Sequence, residues 1–205
     1  MTRLLLASRN PKKLTELRRI LAAHAPGFEV LGLDDVPHYD EVPESGATFA
    51  DNALLKAREG FAHTGLPTIA DDSGLTVDAL NGMPGVLSAR WSGRHGDDTA
   101  NLRLLLGQVA DVPDERLGAT FVCAAAFVSG TSAPDEVVVE GRMAGRLVRE
   151  PRGTNGFGYD PIFVPDGFDL TSAELDSDTK DAISHRGKAL RSLVALLPAG
   201  GARTT

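Results

Sequence analysis

Apolar positions along the chain fall alternately into short continuous runs and into three-and-four spacing, and that alternation predicts an α/β fold. Arg3 to Ala7 reads as a buried strand; Asn10 follows as a helix N-cap with Pro11 at the first helical position, and Leu14, Leu17, Ile20 and Leu21 share one face. Phe28 to Leu33 predicts a second strand, and a helix is expected from about Thr48 to His63 with Phe49, Ala53, Ala57 and Phe61 inward. Gly65-Leu66-Pro67 ends that helix and returns the chain to a strand at Thr68 to Ala70. Leu75 to Leu80 reads as a strand or a short helical turn, and Asp97 or Asp98 can cap a helix with Leu102, Leu105, Leu106 and Val109 inward. Ala119 to Val128 and Glu136 to Glu140 are strand-like and joined by a turn containing Gly130 and Pro134, a hairpin that makes the sheet mixed. A short strand at Ile162 to Val164, a capping box from Thr171 to Glu174 opening a short helix, and a final helix with Leu190, Leu193, Val194 and Leu197 inward complete the pattern.

Composition narrows the picture. With 205 residues, 42% of them hydrophobic, the chain can bury one sizeable core, so one two-lobed domain over 1–198 and a frayed tail over 199–205 are expected. A net charge of −7 argues against nonspecific nucleic-acid binding, and any phosphate site must be local. No apolar run approaches the roughly 20 residues of a membrane span and the start shows no cleavage pattern, so a cytoplasmic protein is expected. Cys123 stands alone in an apolar run and reads as a buried structural thiol, which disfavours thiol chemistry.

Three stretches carry candidate chemistry. In Ile69-Ala70-Asp71-Asp72-Ser73-Gly74, an apolar strand runs into two carboxylates and reads as delivering them into a turn. Paired Asp residues suit Mg2+, or one holds metal while the other orients water; the alternative is an Asx-type turn with no ligand. In Gly153-Thr154-Asn155-Gly156-Phe157-Gly158-Tyr159-Asp160, the ring of Phe157 either offers a stacking face or plugs the core. In Ser184-His185-Arg186-Gly187, cations open a helix that also carries a glycine, two local costs that point to a ligand contact. The start of the first helix is a ready anion site, with Ser8, Asn10 and Lys13 as donors, and it lacks the Gly-rich pattern of a P-loop. Lys56, one turn after Asn52, can reach a cleft from its helix edge or lie along the surface. Met83 to Trp91 reads as interface or lid.

Taken together in this order, Ser8, Asn10 and Lys13, the Asp71-Asp72-Ser73-Gly74 stretch, Gly156 to Pro161 and Ser184-His185-Arg186-Gly187 resemble one family from about residue 3 to about 197. The chain is similar to the dITP/XTP (inosine triphosphate) pyrophosphatases, the Ham1-like or RdgB-like proteins. The resemblance implies a two-lobed α/β fold around a long mixed sheet flanked by helices, with the active site in the cleft between lobes, and a homodimer. It implies Mg2+-dependent hydrolysis of ITP, dITP and XTP to the monophosphate and pyrophosphate. Carried onto this chain, Ser8, Arg9, Asn10, Pro11, Lys12, Lys13 and Lys56 hold the triphosphate. Asp72 is metal ligand and proton acceptor with Asp71 beside it, Glu44 is the second metal ligand with Glu41 in reserve, and Ser73 touches substrate. Phe157, Gly158, Tyr159, Asp160, Lys180, His185 and Arg186 line the base and sugar. Two rivals stand against this reading. An aspartyl-nucleophile phosphatase would show Asp-x-Asp spacing rather than adjacent carboxylates, and a regulatory nucleotide-binding module would need no acidic metal centre.

Overall fold

The structure, a computed structural model, describes residues 1–40, 42–130 and 135–197. The elements in order are β1 (Thr2–Leu6), α1 (Pro11–His24), β2 (Phe28–Leu31), α2 (Phe49–Thr64), β3 (Thr68–Val77), α3 (Asp98–Gln108), β4 (Gly118–Ser129), β5 (Asp135–Leu147), β6 (Phe163–Pro165), α4 (Ser177–Ile183) and α5 (His185–Leu196), with short 3-10 turns between them. The six strands form one sheet in the order β2-β1-β3-β4-β5-β6. β1 runs parallel to both β2 and β3, and β6 runs antiparallel to β5. The stretch from Ser129 to Asp135 is too short for the dozen or so residues of a parallel crossover, so β4 and β5 also run antiparallel and the sheet is mixed.

The chain divides into two compact units. The first comprises Met1–Asp72, Ala124–Gly141 and Arg186–Thr205, the second Ser73–Cys123 and Arg142–His185. In the first unit Leu4, Leu5 and Leu6 are all buried, as expected of a parallel strand covered on both faces, and Leu17, Leu21, Ala53, Ala57 and Ile69 pack there too. The second has its own core, in which Leu75, Val77, Leu102, Leu105, Leu117, Phe121 and Phe163 are buried together. Cys123 is buried, as its apolar surroundings predict.

Several expectations need correction. β3 does not end in a turn at the acidic stretch: Asp71, Asp72, Ser73 and Gly74 lie inside one ten-residue strand, and neither the delivering turn nor an Asx turn forms. The strand tolerates the carboxylates because cations and an amide from elsewhere in the chain compensate them. Leu75 to Leu80 is divided, with strand to Val77 and then a single 3-10 turn. β5 continues seven residues past Glu140, to Leu147, through Gly141 and Gly145, whose low strand propensity hid the extension. No helix begins at Thr171: its N–H meets the Glu174 carboxylate at 2.7 Å, but the segment stays a turn, and the short helix is α4, capped by Asp176. Leu33 belongs to a 3-10 turn rather than to β2. Glu41, Pro134 and the 199–205 tail lie outside the described residues.

Candidate active site

Alternation along β3 sends Asp71 and Asp72 to opposite faces of the sheet, and each meets different helices of the first unit. On one face the Lys13 ammonium, in the first turn of α1, lies 2.8 Å from Asp71 Oδ2, and Arg186 Nε, in the first turn of α5, lies 3.3 Å from the same oxygen. Arg186 also approaches Glu16 at 3.7 Å. The Asn10 side chain caps α1 by accepting from the Lys12 N–H at 3.0 Å, and Ser8 Oγ accepts from the Asn10 N–H at 3.2 Å. The predicted N-cap therefore forms, leaving Ser8, Arg9, Asn10, Pro11, Lys12 and Lys13 around the positive end of the helix. Burial alone would raise the Asp71 carboxyl, but Lys13, Arg186 and Lys56 outweigh it and hold it well below the usual carboxylate range.

On the other face Asp72 meets α2. The Asn52 amide donates to Asp72 Oδ2 at 3.0 Å, and the Lys56 ammonium lies 3.4 Å from Oδ1 and 2.7 Å from Glu44 Oε1. Lys56 thus turns inward, and the acidic connection before α2 contributes Glu44 to the same cluster. Burial pushes the Asp72 carboxyl up, Lys56 opposes that, and Glu44 adds to it, for a net upward shift. For Lys56 burial acts downward, yet Asp72, Asp71 and Glu44 together raise the ammonium, so it stays charged.

The second unit carries the aromatic turn. Asp160 Oδ2 accepts from the Phe157 N–H at 2.8 Å and from the Lys180 ammonium at 2.6 Å. Gly156 sits at a φ of 77°, and a Cβ there would strike Asp160 and Lys180, so only glycine closes the turn. The Gly158 N–H donates to Asp98 at 2.8 Å, and the Tyr159 hydroxyl donates to the Ser88 carbonyl at 2.9 Å. Phe157 is 44% exposed, which removes the core-plug reading; Tyr159 is the ring that plugs. Burial, with Asp98 nearby, pushes the Tyr159 phenol far above its ordinary value, so it remains a donor. His185 stacks on Phe121 with ring centroids 4.9 Å apart. The Met83 to Trp91 stretch is largely a 3-10 helix, Gly85–Arg90, and through Ser88 it supports Tyr159.

The donor set suits a hard cation. Among the described residues no three His, Cys, Asp or Glu side chains form a metal cage. Mg2+ asks less, since it binds through one or two carboxylates plus waters and phosphate oxygens. Glu44 and Asp72 already share one cation, the Lys56 ammonium, so both are available as oxygen donors at a common place.

The profile of the Ham1 family matches residues 4–196. The chain belongs to the Ham1 family. A dITP/XTP pyrophosphatase of Mycobacteroides abscessus is 63% identical over 196 residues, covering 95% of this chain and 94% of that one. The dITP/XTP pyrophosphatase of Nocardia farcinica is 63% identical over 207 residues, covering 100% and 98%. Among solved structures, the nucleoside-triphosphatase / dITP/XTP pyrophosphatase of Mycobacterium abscessus is similar with 64% identity and a TM-score of 0.79 over 96% of this chain and 100% of that one. A HAM1 protein from Coxiella burnetii is 40% identical, with a TM-score of 0.86 over 96% and 98%.

Within this Ham1 chain, the phosphate-end candidates Lys13, Lys56, Asp71, Asp72 and Glu44 all belong to the first unit. Lys13 pairs with Asp71 and Lys56 with Asp72 and Glu44, while Lys56 also acts on Asp71 and Lys13 on Asp72 through their charge. Phe157, Gly158, Tyr159, Asp160 and Lys180 fall into the second, to which Ser73 and His185 also belong. Arg186 belongs to the first unit, where it pairs with Asp71 and Glu16. Sequence reasoning did not single out Glu16, Ser88 or Asp98 for the site, and it placed Asn52 only as a neighbour of Lys56. Asn52 had a usable signal: a short polar amide beside Ala53 on an inward helix face needs a buried partner.

Proposed function

We propose that this chain hydrolyses ITP, dITP and XTP to the nucleoside monophosphate and pyrophosphate, with Mg2+ held by Asp72 and Glu44. It is a nucleoside triphosphate pyrophosphatase, a hydrolase of nucleotide metabolism that removes deaminated purines from the nucleotide pool. The observation that carries the metal-dependent reading is the charge balance around β3. Lys13, Lys56 and Arg186 are each already paired with Asp71, Asp72, Glu44 or Glu16, so beyond the start of α1 these three cations bring an arriving triphosphate little uncompensated positive charge. Mg2+, when bound, supplies that charge against the phosphate oxygens.

The chain's own residues do the rest. The first turn of α1, with Ser8, Arg9, Asn10, Lys12 and Lys13, meets the phosphates through N–H groups and ammonium charge. Asp72, with its carboxyl raised by burial, takes a proton from the water whose oxygen bonds to the α-phosphorus. The α–β anhydride bond breaks and pyrophosphate leaves, its charge met by Lys56 and Lys13. Positioning and electrostatics suffice, so the buried Cys123 needs no part. Phe157 offers its exposed ring to a purine face, and Lys180, held by Asp160, offers donors to its edge. The same reading carries a homodimer working in the cytoplasm, the first checked by light scattering on the eluting protein. No helix among the described residues is long and apolar enough to cross a membrane.

The test is incubation with ITP, XTP, GTP and ATP, with Mg2+ or with EDTA, and identification of the products. Pyrophosphate from ITP and XTP, lost in EDTA, is expected. Orthophosphate would favour an aspartyl-nucleophile phosphatase, and tight binding without turnover a regulatory module.

A further inference from the structure

We infer that Asn52 is a positioning residue that sets the spacing of Asp72 and Glu44, the pair assigned to the metal in the reading above, on which this inference rests. Asn52 is fully buried, within α2, where its type is a poor helix former. Both ends of its amide are used across elements. Nδ2 donates to Asp72 Oδ2 at 3.0 Å, and Oδ1 accepts the Gly46 N–H at 2.7 Å. One neighbour is an acceptor and the other a donor, so a single orientation of the amide satisfies both.

Lys56, one turn further along α2, closes the circuit from Asp72 Oδ1 to Glu44, two residues before Gly46. The two oxygens of Asp72 are therefore held from successive turns of one helix, and the loop bearing Glu44 is tied to that helix at Gly46 and at Glu44 itself. Gly46 permits the closure: a Cβ there would lie 2.6 Å from Asp51 Cβ and 2.7 Å from Asn52 Oδ1. A flexible ammonium cannot fix a distance between carboxylates, whereas a planar amide bonded at both ends can. Lys56 thus compensates charge and Asn52 sets geometry.

The test uses the full chain with Asn52→Ala and, separately, Gly46→Ala, which breaks the same circuit from the partly exposed loop. Mn2+ affinity is read from the electron paramagnetic resonance signal of the free ion, and the Mg2+ half-saturation of ITP hydrolysis is measured alongside. Both variants should weaken Mn2+ binding and raise the Mg2+ half-saturation by about 10- to 100-fold, with the KM for ITP at saturating Mg2+ moving less than about threefold. An asparagine that only stabilised the fold would lower the melting temperature and leave both metal readouts alone. A cooperatively melting variant with Mn2+ affinity within about twofold of wild type overturns the inference. If Asn52→Ala does not fold, Gly46→Ala decides. Wild-type chain that takes no Mn2+ and turns over ITP fully in EDTA overturns the metal reading and this inference together; wild-type binding with unchanged variants overturns the inference alone.

Discussion

Asp71 and Asp72 are chemically identical neighbours that the fold separates by giving them different company. Asp71 has two cations within 3.3 Å and is held ionised, whereas Asp72 has an amide, one ammonium and a second carboxylate near that ammonium, and its carboxyl moves upward. The first suits a structural counter-charge for Lys13 and Arg186, the second a proton acceptor. Asp72→Asn should keep the fold and lower kcat for ITP by at least about 100-fold, some 2.7 kcal/mol of barrier. Retention of more than about a tenth of wild-type kcat would remove Asp72 from the centre of the reaction. Asp71→Asn should act on stability instead, at about 3 kcal/mol near neutral pH, because it removes the carboxylate shared by the buried Arg186 and the partly buried Lys13. With its folded pKa depressed, Asp71 contributes that stability above its unfolded value of about 3.9 and loses it as pH falls through the folded value. Urea unfolding of wild type and Asp71→Asn should therefore give curves that converge as pH drops below about 4. A gap that stays constant from neutral pH into this range would contradict the assignment.

At the level of elements, what could be read from sequence was what is decided locally. The Asn10 cap with Pro11, the Thr48 start of α2, the Gly65 end of that helix and the Asp97 cap of α3 all rest on bonds spanning a few residues, and all formed as expected. Features decided at long range were hidden. β3 runs through its acidic stretch because Lys13, Asn52, Lys56 and Arg186 converge on it from remote positions, and no window around Asp71 contains them. Tyr159 rather than Phe157 is the buried ring because a carbonyl acceptor waits at Ser88, 71 residues earlier. The helix that holds Asp72 can be loosened at its end without touching the chemistry. Thr48 Oγ1 accepts from the Asp51 N–H at 3.1 Å, and the Asp51 carboxylate accepts from the Thr48 N–H at 3.0 Å. Thr48→Ala should cost about 1 kcal/mol and lower the melting temperature by about 2–4 °C. Because Asn52 and Lys56 are held by their own bonds to Asp72, Gly46 and Glu44, kcat for ITP should stay within about twofold. A tenfold loss of kcat would mean that the helix terminus itself meets substrate.

Across the whole molecule, the proposed function assigns different kinds of recognition to the two units, and this would make selectivity separable from catalysis. The first unit holds Lys13, Lys56, Asp71 and Asp72, groups that read charge and are indifferent to the base. The second holds Phe157, Asp160 and Lys180. The Lys180 ammonium is oriented by Asp160 at 2.6 Å and has only donors to offer. A purine with a 6-oxygen answers it with an acceptor, whereas adenine presents an amino group and leaves a desolvated cation facing a donor. A site that hydrogen-bonds a substrate group can reject an analogue lacking it by up to roughly 10⁴-fold, far beyond what an apolar pocket achieves. Lys180→Ala should therefore lower kcat/KM for ITP at least about tenfold more than for ATP, compressing their ratio. Lys13→Ala should lower both alike, and so should Phe157→Ala, since a ring stacks on either purine. The three ITP:ATP ratios, measured at one Mg2+ concentration, decide the matter. If Lys180→Ala leaves the ratio at its wild-type value while Lys13→Ala alters it, the division of labour between the units is the reverse of the one argued here.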